Sequence, residues 1–167
     1  LSAHNLGLKA TATMMFGVGE PAAARVEHIL GVREIQDRTG GFTAFIPWTF
    51  QPGNTPLAQQ VKQPPHPARY VRIIAVARLV LDNFDHIQSS WFSESIGAGQ
   101  LGLLAGADDF GGLLIEENVH LSAGHDRAST LEDVLTIIRR GGFTPAPEGA
   151  AMAFEAERAA APSGAAL

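Results

Sequence analysis

Hydrophobic positions along this chain switch repeatedly between helical and strand-like spacing. Apolar residues recur every three or four positions in three stretches, which predicts helices over residues 21–38, 68–84 and 129–140. Short apolar runs lie between and beside them and predict strands over residues 8–15, 42–47, 87–92 and 108–115. A further short helix is predicted between the last two strands, over residues 97–105. This alternation is typical of parallel βαβ units with right-handed crossovers.

The number of units narrows the fold class within α/β. About four βα units are too few to close an eight-stranded ring, and residues 1–6 resemble the end of a helix. We therefore predict half of a TIM-type (β/α) barrel over residues 1–145, whose open sheet edges need a partner. That partner is either a separate N-terminal half or a second copy of the chain. Residues 146–167, rich in Ala, Glu, Pro and Gly, are predicted to form a disordered or frayed low-complexity tail.

Composition excludes several classes of function. Twelve Lys and Arg residues against seventeen Asp and Glu give a net charge of -5, which leaves no basic surface for nucleic acid. No apolar run is long enough to cross a membrane, so we expect a cytoplasmic protein. The chain has no cysteine. It therefore cannot itself supply a disulfide, a thiolate nucleophile or the thiolate ligands of an iron–sulfur cluster.

Polar and aromatic residues collect where the predicted strands end. Ligands of parallel α/β folds bind at the carboxyl ends of the strands. The relevant segments are residues 13–20, 47–55, 88–94 and 108–120. Together they predict a substrate-sized site with polar edges and aromatic walls. Trp48 and Trp91 fit the walls of such a site and equally fit a core, and residues 51–55 fit either a functional loop or a Pro-Gly turn.

Carboxylates occur as neighbouring pairs in two places, Asp108-Asp109 and Glu116-Glu117. Because adjacent strand residues point to opposite faces, one member of each pair is expected to face the site. Repulsion between such groups raises a pKa, and Glu116 or Glu117 is the candidate general acid or base. With His120 and His125 these residues also allow a metal centre, but their spacing is not that of a known metal motif, and we predict none.

Several strings in the sequence resemble one enzyme family. They are Thr11-Ala12-Thr13-Met14-Met15-Phe16-Gly17, Gln36-Asp37-Arg38-Thr39-Gly40-Gly41-Phe42, Ile87-Gln88-Ser89-Ser90-Trp91 and Asp109-Phe110-Gly111-Gly112. From about Leu6 to Pro145 the chain resembles the radical S-adenosylmethionine enzymes of the futalosine route to menaquinone. The string Pro47-Trp48-Thr49-Phe50-Gln51-Pro52-Gly53-Asn54-Thr55 is most similar to the members that cyclise dehypoxanthine futalosine. Aminofutalosine synthase and the tyrosine-joining subunit of deazaflavin-cofactor (FO) synthase are the alternatives.

The resemblance implies the C-terminal half of a TIM-type barrel that uses S-adenosylmethionine and a [4Fe-4S] cluster to generate a radical. It implies cofactor contacts from Thr13, Gly17 and Glu20. Contacts to the small-molecule substrate, dehypoxanthine futalosine, are expected from Trp48, Gln51, Asn54, Ser90, Trp91 and Asp109. The cluster-binding cysteines of the family are absent from this chain. We therefore expect the chain alone to be inactive, and a non-catalytic half-barrel that dimerises is the alternative from another class.

Overall fold

A computed structural model describes residues 1–111 and 130–146 of the chain, which divides into two compact units, Leu1–Thr130 and Leu131–Leu167. The helices of the first unit are α1 (Ser2–Asn5), α2 (Ala22–Thr39), α3 (Pro67–Val80) and α4 (Ile96–Leu104). Its strands are β1 (Ala10–Phe16), β2 (Phe42–Thr49) and β3 (His86–Ile87), and a 3-10 helix spans Pro56–Gln59. The second unit contains α5 (Leu131–Arg140).

The three strands form a parallel sheet in the order β1-β2-β3. Met14 is paired with Pro47, Phe45 is paired with Ile87, and a bridge joins Gln88 to Asp109 in the same parallel sense. The predicted α/β class with parallel strands is therefore confirmed. The half-barrel and the division of the chain at residue 145 stay predictions.

The two faces of this sheet differ in burial. Ala12, Met14 and Phe16 of β1 are buried, whereas the residues that alternate with them are exposed. The pairing places Phe45 and Ile87 on the same buried face, and neither is exposed at all. The next residue on that face, Ser89, donates a hydrogen bond from Oγ to the carbonyl oxygen of Gly99 in α4 (2.9 Å). Helices thus cover this face, as expected for βαβ crossovers.

The helix predicted over residues 68–84 ends earlier, at Val80. Leu81 leaves the helical conformation (φ -95°, ψ 55°), and the turn that follows is held by side chains of α2. Arg33 donates to the carbonyl oxygen of Val80 and pairs with Asp82, and the amide of Gln36 donates to the carbonyl oxygen of Asn83 (3.2 Å). These long-range contacts are not visible in local periodicity, which explains the overestimate.

The third strand is shorter than predicted. It covers His86–Ile87 rather than residues 87–92, because the chain turns after Ser89. The Ser90 N–H bonds the Tyr70 hydroxyl oxygen (2.6 Å), and the Trp91 N–H bonds the Ser89 carbonyl (2.9 Å). The strand predicted over 108–115 is represented by the bridge at Asp109, and residues 112–115 lie outside the described part.

The α5 helix of the second unit agrees with its prediction. Glu132 and Asp133 lie in its first turn and Arg139 and Arg140 in its last, where each charge opposes the helix dipole. Ser129, the first residue of the predicted helix, lies outside the described residues. So do residues 147–167, which hold nearly all of the predicted tail.

Candidate functional site

The second face of the sheet carries most of the residue types expected at a ligand site. We call it the open face and define it by Thr13, Met15, Ile46, Trp48, Gln88 and Asp109. Their positions follow from strand alternation and register: Thr13 pairs with Ile46, Met15 with Trp48 and Gln88 with Asp109. Thr13 and Met15 are exposed, and the other four side chains are partly exposed. An indole, apolar side chains and three polar groups therefore share one accessible surface.

The turn after β1 is organised by Glu20. Its carboxylate accepts hydrogen bonds from the N–H groups of Gly17 (2.9 and 3.1 Å) and Val18 (2.8 Å), and it pairs with Arg25 (2.5 Å). Burial acts to raise the pKa of Glu20, but these backbone donors and the guanidinium outweigh it, and the pKa lies below its usual value. Glu20 therefore holds the turn in shape. Gly17 is required there because its φ is 93° and Pro65 packs against it.

The end of β2 is tied to the segment after β3. Thr49, which is fully buried, donates to Oε1 of Glu94 from both its backbone N–H (2.8 Å) and its hydroxyl (2.6 Å). The amide of Gln51 donates to the Thr49 hydroxyl oxygen (3.0 Å). This chain of hydrogen bonds fixes Gln51 at the carboxyl end of β2. Asn54, further along the same loop, is exposed.

Ser90 and Trp91 lie in the packed interior. The Ser90 hydroxyl donates to the carbonyl oxygen of Pro47 (2.9 Å), and Trp91 stacks on Phe110 with ring centroids 6.1 Å apart. Ser90 is fully buried and Trp91 is 2% exposed. Their packing is that of core residues, and substrate contact from them stays a prediction. Trp48, by contrast, is on the open face.

The two neighbouring aspartates point in different directions. Asp108 pairs with Arg78 (2.6 Å) and His86 (3.0 Å) and accepts from the Ile87 N–H (2.8 Å). Burial opposes ionisation of Asp108, but the Ile87 N–H, His86 and Arg78 outweigh it and lower its pKa. The pKa of Asp109 is raised, mainly by burial and less by the charge of Asp108. The raised pKa expected from repulsion is therefore found at Asp109, but desolvation is its larger cause.

The sequence analysis missed two residues of the candidate site, and the structure does not test two that it chose. Gln88 and Glu94 both stand in the segment recognised as a strand end, but their neighbours Ser90 and Trp91 were chosen. Strand parity counted from the buried Ile87 would have assigned Gln88 to the open face. Glu94 gave no such signal, because its partner Thr49 is distant in sequence. Glu116 and Glu117 lie outside the described residues.

Within residues 1–111 and 130–146, no group of three or more His, Asp or Glu side chains could hold a metal ion. Over the same residues, no helix is both long enough and apolar enough to span a membrane.

The fold is a parallel α/β sheet whose strand ends carry polar and aromatic residues, and this end is where α/β proteins that bind ligands place them. The chain belongs to the CofH/MqnC C-terminal region family, whose model matches residues 39–157. It is 46% identical over 144 residues to the cyclic dehypoxanthine futalosine synthase of Streptomyces coelicolor, covering 86% of this chain and 36% of that protein. The enzyme of the same name from Halalkalibacterium halodurans is 42% identical over 84% of this chain and 38% of its own length.

A differently named relative is nearly as similar. The 5-amino-6-(D-ribitylamino)uracil–L-tyrosine 4-hydroxyphenyl transferase of Methanosphaerula palustris is 45% identical over 132 residues, or 78% of this chain and 36% of that protein. The chain thus spans little more than a third of the length of these relatives.

Proposed function

We propose that this chain forms the substrate-side part of a radical S-adenosylmethionine enzyme that cyclises dehypoxanthine futalosine in menaquinone biosynthesis. The observation that carries the proposal is the 46% identity to the Streptomyces coelicolor enzyme over most of the chain. The open face supports it, because Trp48 and Ile46 offer an apolar wall for an aromatic ring beside polar groups that suit a sugar.

The two implied cofactors fit this chain differently. A [4Fe-4S] cluster does not fit, because the chain has no cysteine to ligate it. We infer that the cluster is held by another part of the enzyme, and that the 167 residues alone are inactive. S-Adenosylmethionine fits better at the end of β1. The exposed Thr13 hydroxyl and the turn at Gly17 offer polar contacts there, while Glu20 supports the turn through its bonds to Gly17 and Val18.

The chain's own tasks are to bind, orient and shield the substrate. Trp48 would pack against its ring, and Gln51, held through Thr49 and Glu94, would orient a polar group above the β2 end. Such positioning is a major part of catalysis when a reactive carbon must meet one ring position. We propose Glu116 or Glu117 as the group that accepts the proton released when the cyclic product forms. Replacing each by Gln in the complete enzyme is expected to suppress turnover for one and spare it for the other.

A second candidate is transfer of a tyrosine-derived group to an aminouracil, since the archaeal transferase is 45% identical to this chain. A chimera distinguishes the two. In the first chimera, the chain replaces the matching segment of the Streptomyces coelicolor synthase. In the second, it replaces the matching segment of the Methanosphaerula palustris transferase. We expect cyclic product from the first chimera and no transfer from the second, measured by liquid chromatography and mass spectrometry. Transfer activity in the second chimera without cyclisation in the first would overturn the proposal.

Assembly is also a proposal. Among the described residues, β1 pairs on one side only, with β2. We infer that its other edge adds a strand from the cluster-binding part of the enzyme. A half-barrel that only pairs with itself is the competing outcome. Light scattering on the purified chain, alone and mixed with the remaining segment of the Streptomyces coelicolor enzyme, separates them. A one-to-one complex supports our proposal, and a homodimer that ignores the added segment contradicts it.

A further inference from the structure

Gln88 and Asp109 stand side by side on the open face. The bridge between their backbones aligns them, and the Ser89 N–H bonds the Asp109 carbonyl oxygen (2.7 Å). Ile87 and Ser89 are fully buried on the helix-covered face, so the Gln88 side chain must point to the opposite side. Both side chains are partly exposed. A ligand lying across β3 and its neighbour could therefore reach both at once.

Within residues 1–111 and 130–146, both side chains keep hydrogen-bonding capacity that no protein group uses. Among the described residues, the Gln88 carboxamide makes no hydrogen bond. Asp109 uses Oδ1 to accept from the Gly111 N–H (2.6 Å), while Oδ2 has no partner within the same residues. A carboxamide and a carboxylate oxygen left over on an accessible face contribute little to stability. Water can solvate both groups there, and they are available to a ligand that displaces this water.

The neighbouring turn fixes the geometry of the pair. Gly111 has φ 74°, and a Cβ added there would lie 3.0 Å from Nε2 of Gln88. The turn therefore closes directly against the carboxamide, and a side chain at position 111 would push it aside. The bond from Gly111 also stops Asp109 from rotating freely, which leaves Oδ2 in a defined direction. Ordering both acceptors before binding reduces the entropy cost of recognition.

The chemistry of the pair selects the type of ligand. Oε1 of Gln88 and Oδ2 of Asp109 are two acceptors on adjacent strands, and they suit a group with two neighbouring donors. Ile46, beside them on β2, is apolar, so the rest of the ligand is expected to be uncharged at this point. We propose that Gln88 and Asp109 together bind the vicinal hydroxyls of a ribosyl group. The choice of probe rests on the proposed function.

Two ribosyl molecules could supply these hydroxyls: the substrate, dehypoxanthine futalosine, and the nucleoside part of S-adenosylmethionine, represented by adenosine. The full chain is titrated with each probe by calorimetry. The variants Gln88→Leu and Asp109→Asn are compared with Gln63→Leu and Asp85→Asn, which change the same residue types at exposed positions. Asp109→Asn keeps an oxygen for the Gly111 N–H. We expect each test variant to weaken binding about ten-fold, the equivalent of one hydrogen bond, and the controls to leave it unchanged.

The probe whose affinity falls identifies the source of the hydroxyls. If dehypoxanthine futalosine binds, and neither it nor adenosine distinguishes the test variants from the controls, this inference is wrong while the proposed function stands. If only adenosine binds, and the test variants weaken it, the inference holds and the proposed substrate is wrong. If neither probe binds, both fail. A second comparison needs no variant: 2′,3′-dideoxyadenosine, or the matching deoxy analogue of the substrate, must bind more weakly than its parent, and equal affinity overturns the inference.

Discussion

The link between Glu94 and Thr49 gives the most quantitative prediction. Glu94→Ala removes the acceptor of two Thr49 donors, one of them the N–H of a fully buried residue. An unsatisfied buried N–H costs about 1–3 kcal/mol, and the loss of the hydroxyl bond adds about 1 kcal/mol. We expect the free energy of unfolding to fall by about 2–4 kcal/mol. Glu94→Gln retains an acceptor oxygen and should cost about 1 kcal/mol.

Urea unfolding followed by tryptophan fluorescence measures these changes, since Trp91 is buried near Glu94 in sequence and reports on the same unit. Glu27→Ala, an exposed glutamate in α2, is the matched control. Thr49→Val combined with Glu94→Ala should cost less than the sum of the two single changes, because both remove one shared bond. The reasoning is refuted if Glu94→Ala costs no more than Glu27→Ala, or if the two effects add fully.

Four further predictions concern other parts of the same unit. The pKa of Asp109 is raised above 3.8 in the folded chain, so ionisation of this carboxyl lowers the free energy of unfolding as pH rises. Asp109→Asn should therefore stabilise the chain at neutral pH, and this stabilisation should disappear in acid. Asp108→Asn should do the opposite, because the lowered pKa of Asp108 contributes stability that is lost as pH falls through it; urea titrations across pH test both. Gly17→Ala should cost more than Gly19→Ala, by thermal unfolding, since both have positive φ (93° and 101°) but only Gly17 has a neighbour where the Cβ would stand; equal costs would contradict the packing. Gln36→Leu should lower the free energy of unfolding by about 2–4 kcal/mol, because the buried Gln36 amide accepts from the Phe42 N–H (2.8 Å) and donates to the Phe42 carbonyl oxygen (2.9 Å). Hydrogen exchange of the Phe42 amide should become faster in this variant, and unchanged protection would contradict the prediction.

Sequence periodicity predicted the elements of this fold well where local rules decide. The helix predicted over residues 21–38 is found over Ala22–Thr39 and ends there because Gly40 adopts the left-handed conformation (φ 55°). Where the chain was misjudged, distant residues decide. The stop at Val80 depends on Arg33 and Gln36, and the short β3 depends on Tyr70. No local spacing encodes such contacts.

In the candidate site, too, local rules predicted some residues correctly and distant contacts decided the others. Strand ends identified Thr13, Trp48, Gln51 and Asp109 as candidates, because parallel strands align their carboxyl ends. The sequence could not tell which side of the sheet each residue occupies in the irregular segment after β3. There the chain turns inward and buries Ser90 and Trp91, while Gln88 stays on the open face.

The most direct test of the open face as the ligand site uses two adjacent methionines. Met14 is buried against the helix-covered side, and Met15, which is 44% exposed, lies on the open face. The chain has three methionines, so its methyl-labelled NMR spectrum is simple and a Met15→Leu variant assigns the key signal. Titration with dehypoxanthine futalosine is predicted to shift the Met15 methyl signal and leave that of Met14 in place. A Met15 signal that stays unchanged while the ligand binds would contradict the account.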